Sequence, residues 1–396
     1  MGNGKKILET SATMKVVHTA IRYTPDAGGA EAYSEQIVTR TRINPEQIDA
    51  RVLTTKLRTH SPVTELNPKK LKDDAPYVQR LHHTELPYIA YPLLQALPYY
   101  IKQQSPNVIH GYGFWYQPAD VAARYAQKTK TPFIFHPIYY ENDIRKRLKW
   151  QLYKNTIGRK TFAAADVVVV ISPFEKSLIE QARFKEKRFE LIPPRVSAAE
   201  IQTPVPNPFT KRNISGTILF TASRIAPGKG LEDLIQALPD ILKHHPDTQL
   251  VLAGEDFGEQ KSLLLKAKQN GVADHIHFIG HLTRKELIGA YKNADVFIHP
   301  SQYEAFGIVV AEAQAAGIPV VARNTSAIPY VAAPENRRNL FTTSEELTGN
   351  LLHVLQLSPD QRANNATAAQ QYVNNNLNWD RSIKKVTSLY KELVTL

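Results

Sequence analysis

The 396-residue sequence predicts an α/β protein built as two halves, each a parallel β-sheet with crossover helices. Three observations carry that prediction. The chain is longer than one hydrophobic core comfortably serves. Short strand-like apolar segments alternate with helical patterns in two successive runs. Between the runs lies a proline-rich break holding Pro193, Pro194, Pro204, Pro206 and Pro208. An apolar content of 42% with 22% charged residues belongs to a soluble folded chain rather than a disordered one.

The first run opens with a strand at residues 15–20 (KVVHTA), a loop containing Gly28 and Gly29, and a helix from Ala30 to about Arg42. Further strands are expected at residues 50–54, 108–110, 133–136 and 167–171. After the break, strands are expected at 217–221, 249–253, 275–279, 296–299 and 319–321. Helical patterns lie between them near 231–244, 260–269, 284–292, 307–316 and 344–357. A last helix at about 381–394 follows a break at 374–378. The domains so drawn are a loose leader (1–13), an N-terminal domain (14–198), a linker (199–215), a C-terminal domain (216–373) and a closing segment (374–396). Ligands of such sheets bind beyond the carboxyl ends of the strands, so a cleft between the halves is the expected site.

Composition excludes several chemistries. The absence of cysteine removes disulfides, thiolate catalysis and cysteine-type zinc sites. The most apolar aromatic segment, residues 88–101, is broken by Pro92 and Pro98 and is too short to span a bilayer. The leader lacks the apolar core of a signal peptide, and Lys6 sits where a myristoylation motif wants Ser or Thr. A cytoplasmic protein is therefore expected, and the sequons at Asn213, Asn324 and Asn365 are read as accidental. The formal charge of +12 is uneven. Residues 1–200 carry 30 Lys and Arg against 19 acidic residues, whereas residues 201–396 carry 19 against 18. A basic half suits a nucleic acid, an anionic membrane or a phosphorylated substrate, or simply a solvated surface.

The strongest motif is Glu304-Ala-Phe-Gly-Ile-Val-Val-Ala-Glu312, continued by Ala-Gln-Ala-Ala-Gly317. It follows a strand ending His299-Pro300-Ser301 and enters a helix. The N–H groups of Phe306, Gly307 and Ile308 would lie at that helix's N-terminus, a natural site for phosphate or sugar oxygens. From Phe306 to Glu312 a helix rises roughly 9 Å, so the two carboxylates can serve opposite ends of one ligand.

Two glutamates eight positions apart around Phe-Gly-Ile resemble the signature of glycosyltransferase family 4. That resemblance implies the GT-B fold, two Rossmann-like domains with parallel sheets facing across a cleft. The segment from Leu219 to Gly230 (LFTASRIAPGKG) is similar to the family's strand, Arg loop and Lys-Gly. Leu250–Gly254, Phe278–Leu282 and residues 291–301 (YKNADVFIHPS) follow in the family's order. A nucleoside diphosphate leaving a sugar gains negative charge, which Arg224 and Lys229 would offset. With no Asp-x-Asp pair in the chain, the resemblance implies metal independence and no cofactor. It also places Gly254 and Leu282 among the donor contacts, with Glu304, Phe306, Gly307, Ile308 and Glu312.

In the first half the likeness is thinner. Gly28-Gly29 resembles the family's Gly-Gly loop, whose N–H groups face the donor phosphate. His110, in Val108-Ile109-His110-Gly111-Tyr112, and His136 match family histidines near the cleft, and both are candidate catalytic residues. Tyr112 stands where a second histidine is common and is a weak candidate sugar contact. Ser223 replaces a usual Gly, and Ser326-Ala327-Ile328-Pro329-Tyr330 replaces a frequent Gly-Gly-x-Pro-Glu. Asn378-Trp379-Asp380 resembles the closing segment, which implies a helix returning to the N-terminal domain.

The implied reaction moves a hexose from a nucleotide sugar to an acceptor hydroxyl, on a glycan or a lipid-linked acceptor, with retention. The alternatives are a sugar-nucleotide epimerase on the same fold and a basic nucleic-acid-binding protein. No zinc, RRM or KH signature supports the latter, so no nucleic-acid partner is expected. The absence of G-x-G-x-x-G after a strand argues against a nicotinamide oxidoreductase. Residues 145–160 (RKRLKWQLYKNTIGRK) read as a basic amphipathic helix. With residues 88–101 it is expected to rest on the cytoplasmic face of an anionic membrane.

Overall fold

The computed structural model describes residues 13–25, 28–43, 48–60, 63–72, 74–86, 89–140 and 148–395. Nearly all of the leader, Tyr88 and the basic residues 145–147 lie outside the described residues. The chain divides into two compact units, one drawn from residues 1–170, 175–192 and 383–396, the other from 171–174 and 193–382.

In unit 1 the main sheet has seven parallel strands. They are β1 (Met14–Thr19), β2 (Ile48–Thr54), β3 (Val78–Arg80), β4 (Val108–Tyr112), β5 (Phe133–His136), β6 (Val167–Val170) and β7 (Phe189–Leu191). Their order is β7-β6-β5-β4-β1-β2-β3, so the direction of winding reverses between β1 and β4. Central strands such as Val167–Val170 are buried along their whole length, as a parallel sheet covered on both faces requires. Helix α1 (Gly29–Arg42) follows β1, and α2 (Gln117–Thr129) follows β4.

Two small antiparallel hairpins, Leu57–His60 with Val63–Glu65 and Thr84–Leu86 with Ile89–Leu93, were not legible in the sequence. Their strands are three to five residues long, three of them mix polar and apolar residues, and Ile89–Leu93 is apolar throughout, so none shows a clear alternation. The apolar aromatic segment is divided between core and surface, with Tyr99 exposed. Leu94, Leu97 and Ile101 are buried in the core of unit 1 beside Phe114, Phe133 and Phe162. Residues 148–164 form a helical stretch with a π-helical turn at Lys154–Gly158. The buried Asp120 of α2 pins it, accepting hydrogen bonds from Tyr153 (2.9 Å), Thr161 (2.5 Å) and Tyr91 (2.6 Å). A buried carboxylate with three donors is a satisfied one.

Unit 2 has six parallel strands: β8 (Ile218–Ala222), β9 (Gln249–Ala253), β10 (Ile276–Gly280), β11 (Val296–His299), β12 (Val320–Arg323) and β13 (Leu340–Phe341). Their order, β10-β9-β8-β11-β12-β13, reverses between β8 and β11. Helix α3 (Ala198–Gln202) lies within the proline-rich stretch, so the chain enters unit 2 at Pro193, ahead of the expected linker. Helices α4 (Leu231–His244), α5 (Arg284–Asn293) and α6 (Ile308–Ala316) follow β8, β10 and β11. Thr283 and Glu286 form a reciprocal capping box at the start of α5.

Residues Pro359–Asn376 form an 18-residue helix that the sequence did not announce, because only Ala369 and Val373 among its side chains are buried. The expected break at 374–378 shrinks to Leu377 and Asn378. The closing helix α7 (Trp379–Thr395) begins in unit 2 and, from Ile383, belongs to unit 1.

Candidate functional site

In an open parallel sheet, ligands bind at the carboxyl ends of strands where the winding direction reverses. In unit 2 that point is set by the loops after β8 and β11, the loops that carry Arg224, Lys229 and Glu304. The first loop is held by backbone bonds from Ser223 to Ala253 (3.0 Å) and from Ile225 to Glu255 (2.9 Å). Gly254 is required here: its φ is +151°, and a Cβ would sit 1.7 Å from the Ser223 carbonyl oxygen. Arg224 is exposed, with its guanidinium 5.5 Å from the centre of the exposed Phe257 ring.

Lys229 Nζ lies 3.3 Å from Glu304 Oε2 and donates to Ser301 Oγ at 3.3 Å. His299, buried at the end of β11, places Nε2 3.3 Å from the same Glu304 oxygen. Burial by itself would raise the Glu304 carboxyl. The contacts with His299 and Lys229 outweigh it and hold the group at about 2, so it is ionised at neutral pH.

Phe306 is buried and meets the Tyr330 ring edge-on. Gly307 takes a left-handed conformation (φ +89°) as the N-cap of α6. Among the described residues, the N–H groups of Gly307, Ile308 and Val309 have no backbone acceptor, which leaves donors and the positive end of the helix dipole at this loop. Leu282 is buried at the loop after β10.

Glu312 sits one turn into α6 and is already engaged. Arg284 Nη1 donates to its Oε1 at 2.5 Å, and the Tyr291 hydroxyl donates to Oε2 at 3.2 Å. The structure therefore gathers Lys229 and Glu304 into one contact between two loops and sets Glu312, on the helix that follows Glu304, in a second network. Sequence reasoning missed His299, Arg284 and Tyr291 as partners. It also missed Arg323, which steadies the β11 loop by donating to the Pro300 carbonyl (2.9 Å) and pairing with Asp233.

In unit 1, Gly28 is the N-cap of α1 with φ −78°, so no backbone strain calls for glycine there. A Cβ on Gly29 would meet nothing within 4 Å, so no steric demand calls for glycine there either. His110, His136 and Tyr112 lie at the carboxyl ends of β4 and β5, all nearly fully buried. The ring centres of His110 and Tyr112 are 4.5 Å apart, and those of Tyr112 and His136 are 5.3 Å apart. His18 of β1, opposite His110 in register, completes the stack with Nδ1 3.1 Å from the Tyr112 hydroxyl. His110 Nδ1 is 2.8 Å from the Tyr390 hydroxyl of α7, and Tyr33 of α1 meets His136 edge-on. Nε2 of His18 and of His110 and both ring nitrogens of His136 have no hydrogen-bond partner among the described residues. Neither His18 nor Tyr390 was singled out in the sequence, since 92 and 280 residues separate them from His110.

Two solved structures share the fold. Sucrose-phosphate synthase from Thermosynechococcus elongatus superposes with a TM-score of 0.76, covering 96% of this chain and 99% of that one at 19% identity. Anabaena HepE in complex with UDP and glucose gives 0.75, covering 96% and 100% at 18% identity. The class is thus the GT-B fold, two parallel-sheet α/β domains. The family model for glycosyl transferases group 1 matches residues 208–372, and the glycosyl transferase 4-like domain matches residues 28–195. The chain belongs to glycosyltransferase family 4. It is 27% identical over 244 residues to the GDP-mannose-dependent monoacylated alpha-(1-6)-phosphatidylinositol monomannoside mannosyltransferase of Corynebacterium glutamicum, 58% of this chain and 63% of that protein. The chain spans between about two fifths and just under two thirds of the curated relatives it matches.

Proposed function

We propose that this protein is a retaining, metal-independent hexosyltransferase that moves a sugar from a nucleotide-sugar donor to an acceptor hydroxyl. The observation that carries the reading is the Lys229–Glu304 contact at the reversal point of unit 2, beside a helix start with unused N–H donors. An ionised, half-buried carboxylate suits the hydroxyls of a sugar. A lysine and an exposed arginine suit the diphosphate that departs, because both bind more strongly as its charge grows. Glu304 then orients the sugar, Lys229 and Arg224 stabilise the leaving diphosphate, and Gly29 with Phe306 to Ile308 donate N–H groups. Glu312 faces the ribose. The departing phosphate accepts the proton of the attacking hydroxyl on the same face of the sugar. His110 and His136 are the candidate catalytic side chains of unit 1, each with at least one buried ring nitrogen that has no hydrogen-bond partner among the described residues.

Family likeness supports a nucleotide donor: HepE is solved with UDP-glucose, and the Corynebacterium relative is named for GDP-mannose. The test is transfer measured with UDP- and GDP-sugars in excess EDTA. Glu304→Gln is expected to abolish transfer while nucleotide binding persists, and Arg224→Ala to lower turnover mainly. Full activity in either variant, or dependence on added metal, defeats the assignment. Nucleotide release that requires no acceptor would indicate an epimerase instead.

A lipid-linked acceptor at an anionic membrane is the favoured acceptor class, on one specific observation. Leu148, Leu152 and Ile157 are 83%, 64% and 42% exposed. The spacing of four and then five residues keeps them on one line, because the π-helical turn at Lys154–Gly158 adds one residue to the turn. Lys149, Arg159 and Lys160 are exposed on the same stretch. Such a ridge inserts its apolar side chains while its cations meet anionic headgroups, each worth about 1 kcal/mol. Co-sedimentation with phosphatidylglycerol vesicles at low salt is expected for the native chain and lost in Leu148→Glu/Leu152→Glu. Equal sedimentation of the two removes the membrane from the reading.

A further inference from the structure

Arg284 occupies the first position of helix α5, where the helix dipole disfavours a cation. It is held there by two carboxylates. Nε and Nη2 donate to the two oxygens of Glu200 on α3, at 3.0 and 2.9 Å. Nη1 donates to Glu312 Oε1 at 2.5 Å. The fork to Glu200 fixes the plane of the guanidinium, and that plane in turn fixes one oxygen of Glu312. The Tyr291 hydroxyl fixes the other. Glu312 is nine-tenths buried, and burial pushes its carboxyl above the ordinary range even with the Arg284 charge beside it. Without that charge the neutral acid gains further, and a neutral acid is a poorer acceptor for a pair of hydroxyls. Each carboxylate oxygen still has one lone pair for a ligand after these bonds are made.

We propose that Arg284 is a positioning residue for recognition of the nucleotide ribose, keeping Glu312 charged and turned toward the diol, with Glu200 as the brace that orients Arg284. This rests on the reading that Glu312 faces the ribose, and the experiment separates the two. UDP and GDP, each with its 2′-deoxy counterpart, are titrated calorimetrically into the full chain and into Glu312→Gln, Arg284→Met, Arg284→Lys and Glu200→Gln. The native chain is expected to favour the ribonucleotide by about tenfold, the discrimination a single charge-assisted hydrogen bond provides.

Glu312→Gln is expected to bring that ratio to near unity. Arg284→Met is expected to do nearly the same while the deoxynucleotide still binds through its diphosphate. Arg284→Lys recovers part of the ratio, and Glu200→Gln falls between. A merely structural role would weaken both nucleotides alike and leave the ratio unmoved. An unchanged ratio in Arg284→Met, with loss in Glu312→Gln, overturns the positioning role alone. An unchanged ratio in Glu312→Gln overturns the ribose assignment and the proposal with it. If Arg284→Met shows no cooperative melting, Arg284→Lys and Glu200→Gln decide by the same ratio.

Discussion

Acidification is expected to loosen unit 1 well before ordinary acid denaturation, through three histidines buried without charge. Burial lowers His18 and His136 to about 3, and it lowers His110 well below its usual value, with the neighbouring His18 and His136 adding to the effect. The sign follows from which state takes up protons. Above pH 6.5 the rings are neutral whether the unit is folded or not, and they cost nothing. As pH falls below 6.5 the unfolded chain binds protons that the folded unit refuses, so stability drops until the folded values are reached. At pH 5 each ring costs about 2 kcal/mol and the three together about 6 kcal/mol, the size of a whole domain's stability. Hydrogen exchange resolves this by location. Amides of β4 and β5 are expected to lose protection between pH 8 and pH 5, once intrinsic exchange is corrected for, against β9 of unit 2 as reference. His136→Phe keeps an aromatic ring in the stack and removes one proton site, so it is expected to recover about 2 kcal/mol at pH 5. Equal loss in β4 and β9, or no recovery in His136→Phe, would refute the reasoning.

Three further outcomes are expected. Gly254→Ala forces a Cβ to 1.7 Å from a backbone oxygen, whereas the one close contact of Gly307→Ala is the rotatable Ile328 Cδ1 at 2.6 Å, with Glu304 Cγ next at 3.4 Å. In urea unfolding of unit 2, Gly307→Ala is expected to cost about 1–2 kcal/mol, largely for its positive φ, and Gly254→Ala distinctly more. Tyr390→Phe removes the 2.8 Å bond to His110 and leaves that buried ring nitrogen only the longer, 3.4 Å contact with the Tyr112 hydroxyl. The cost is about 1–2 kcal/mol, seen as faster proteolysis of the C-terminal helix. The Glu304 carboxyl lies at about 2 against an ordinary 4.5, so its pairing stabilises the loop above pH 4.5 and is lost as pH falls toward 2. Nucleotide-binding profiles of the native chain are therefore expected to show no Glu304 limb above pH 4. Lys229→Met is expected to move such a limb upward into the measured range.

Much of the architecture was legible because its causes are local. Apolar runs of five residues, helical spacing between them and a proline-rich break predict two parallel sheets without reference to packing. Glu304, Gly307 and Glu312 were legible together because one loop and one helix carry them in a short stretch of chain. Lys229 and Glu304 could be paired only through family likeness, since 75 residues separate them. The parallel sheet closes that gap by placing β8 beside β11. The same crossover logic hid His18 beneath His110, and no periodicity in either strand announces the pairing. The polar helix at Pro359–Asn376 escaped notice because it buries so few side chains. The sequence alone determined the two-sheet plan and the identity of the charged groups at the loop after β11, since short-range chemistry specifies both. Tertiary structure alone decided which partners those groups take: His299 for Glu304, Arg284 for Glu312, Tyr390 for His110. Partner choice depends on strand order and on helices meeting across a sheet, and no local run of residues encodes either.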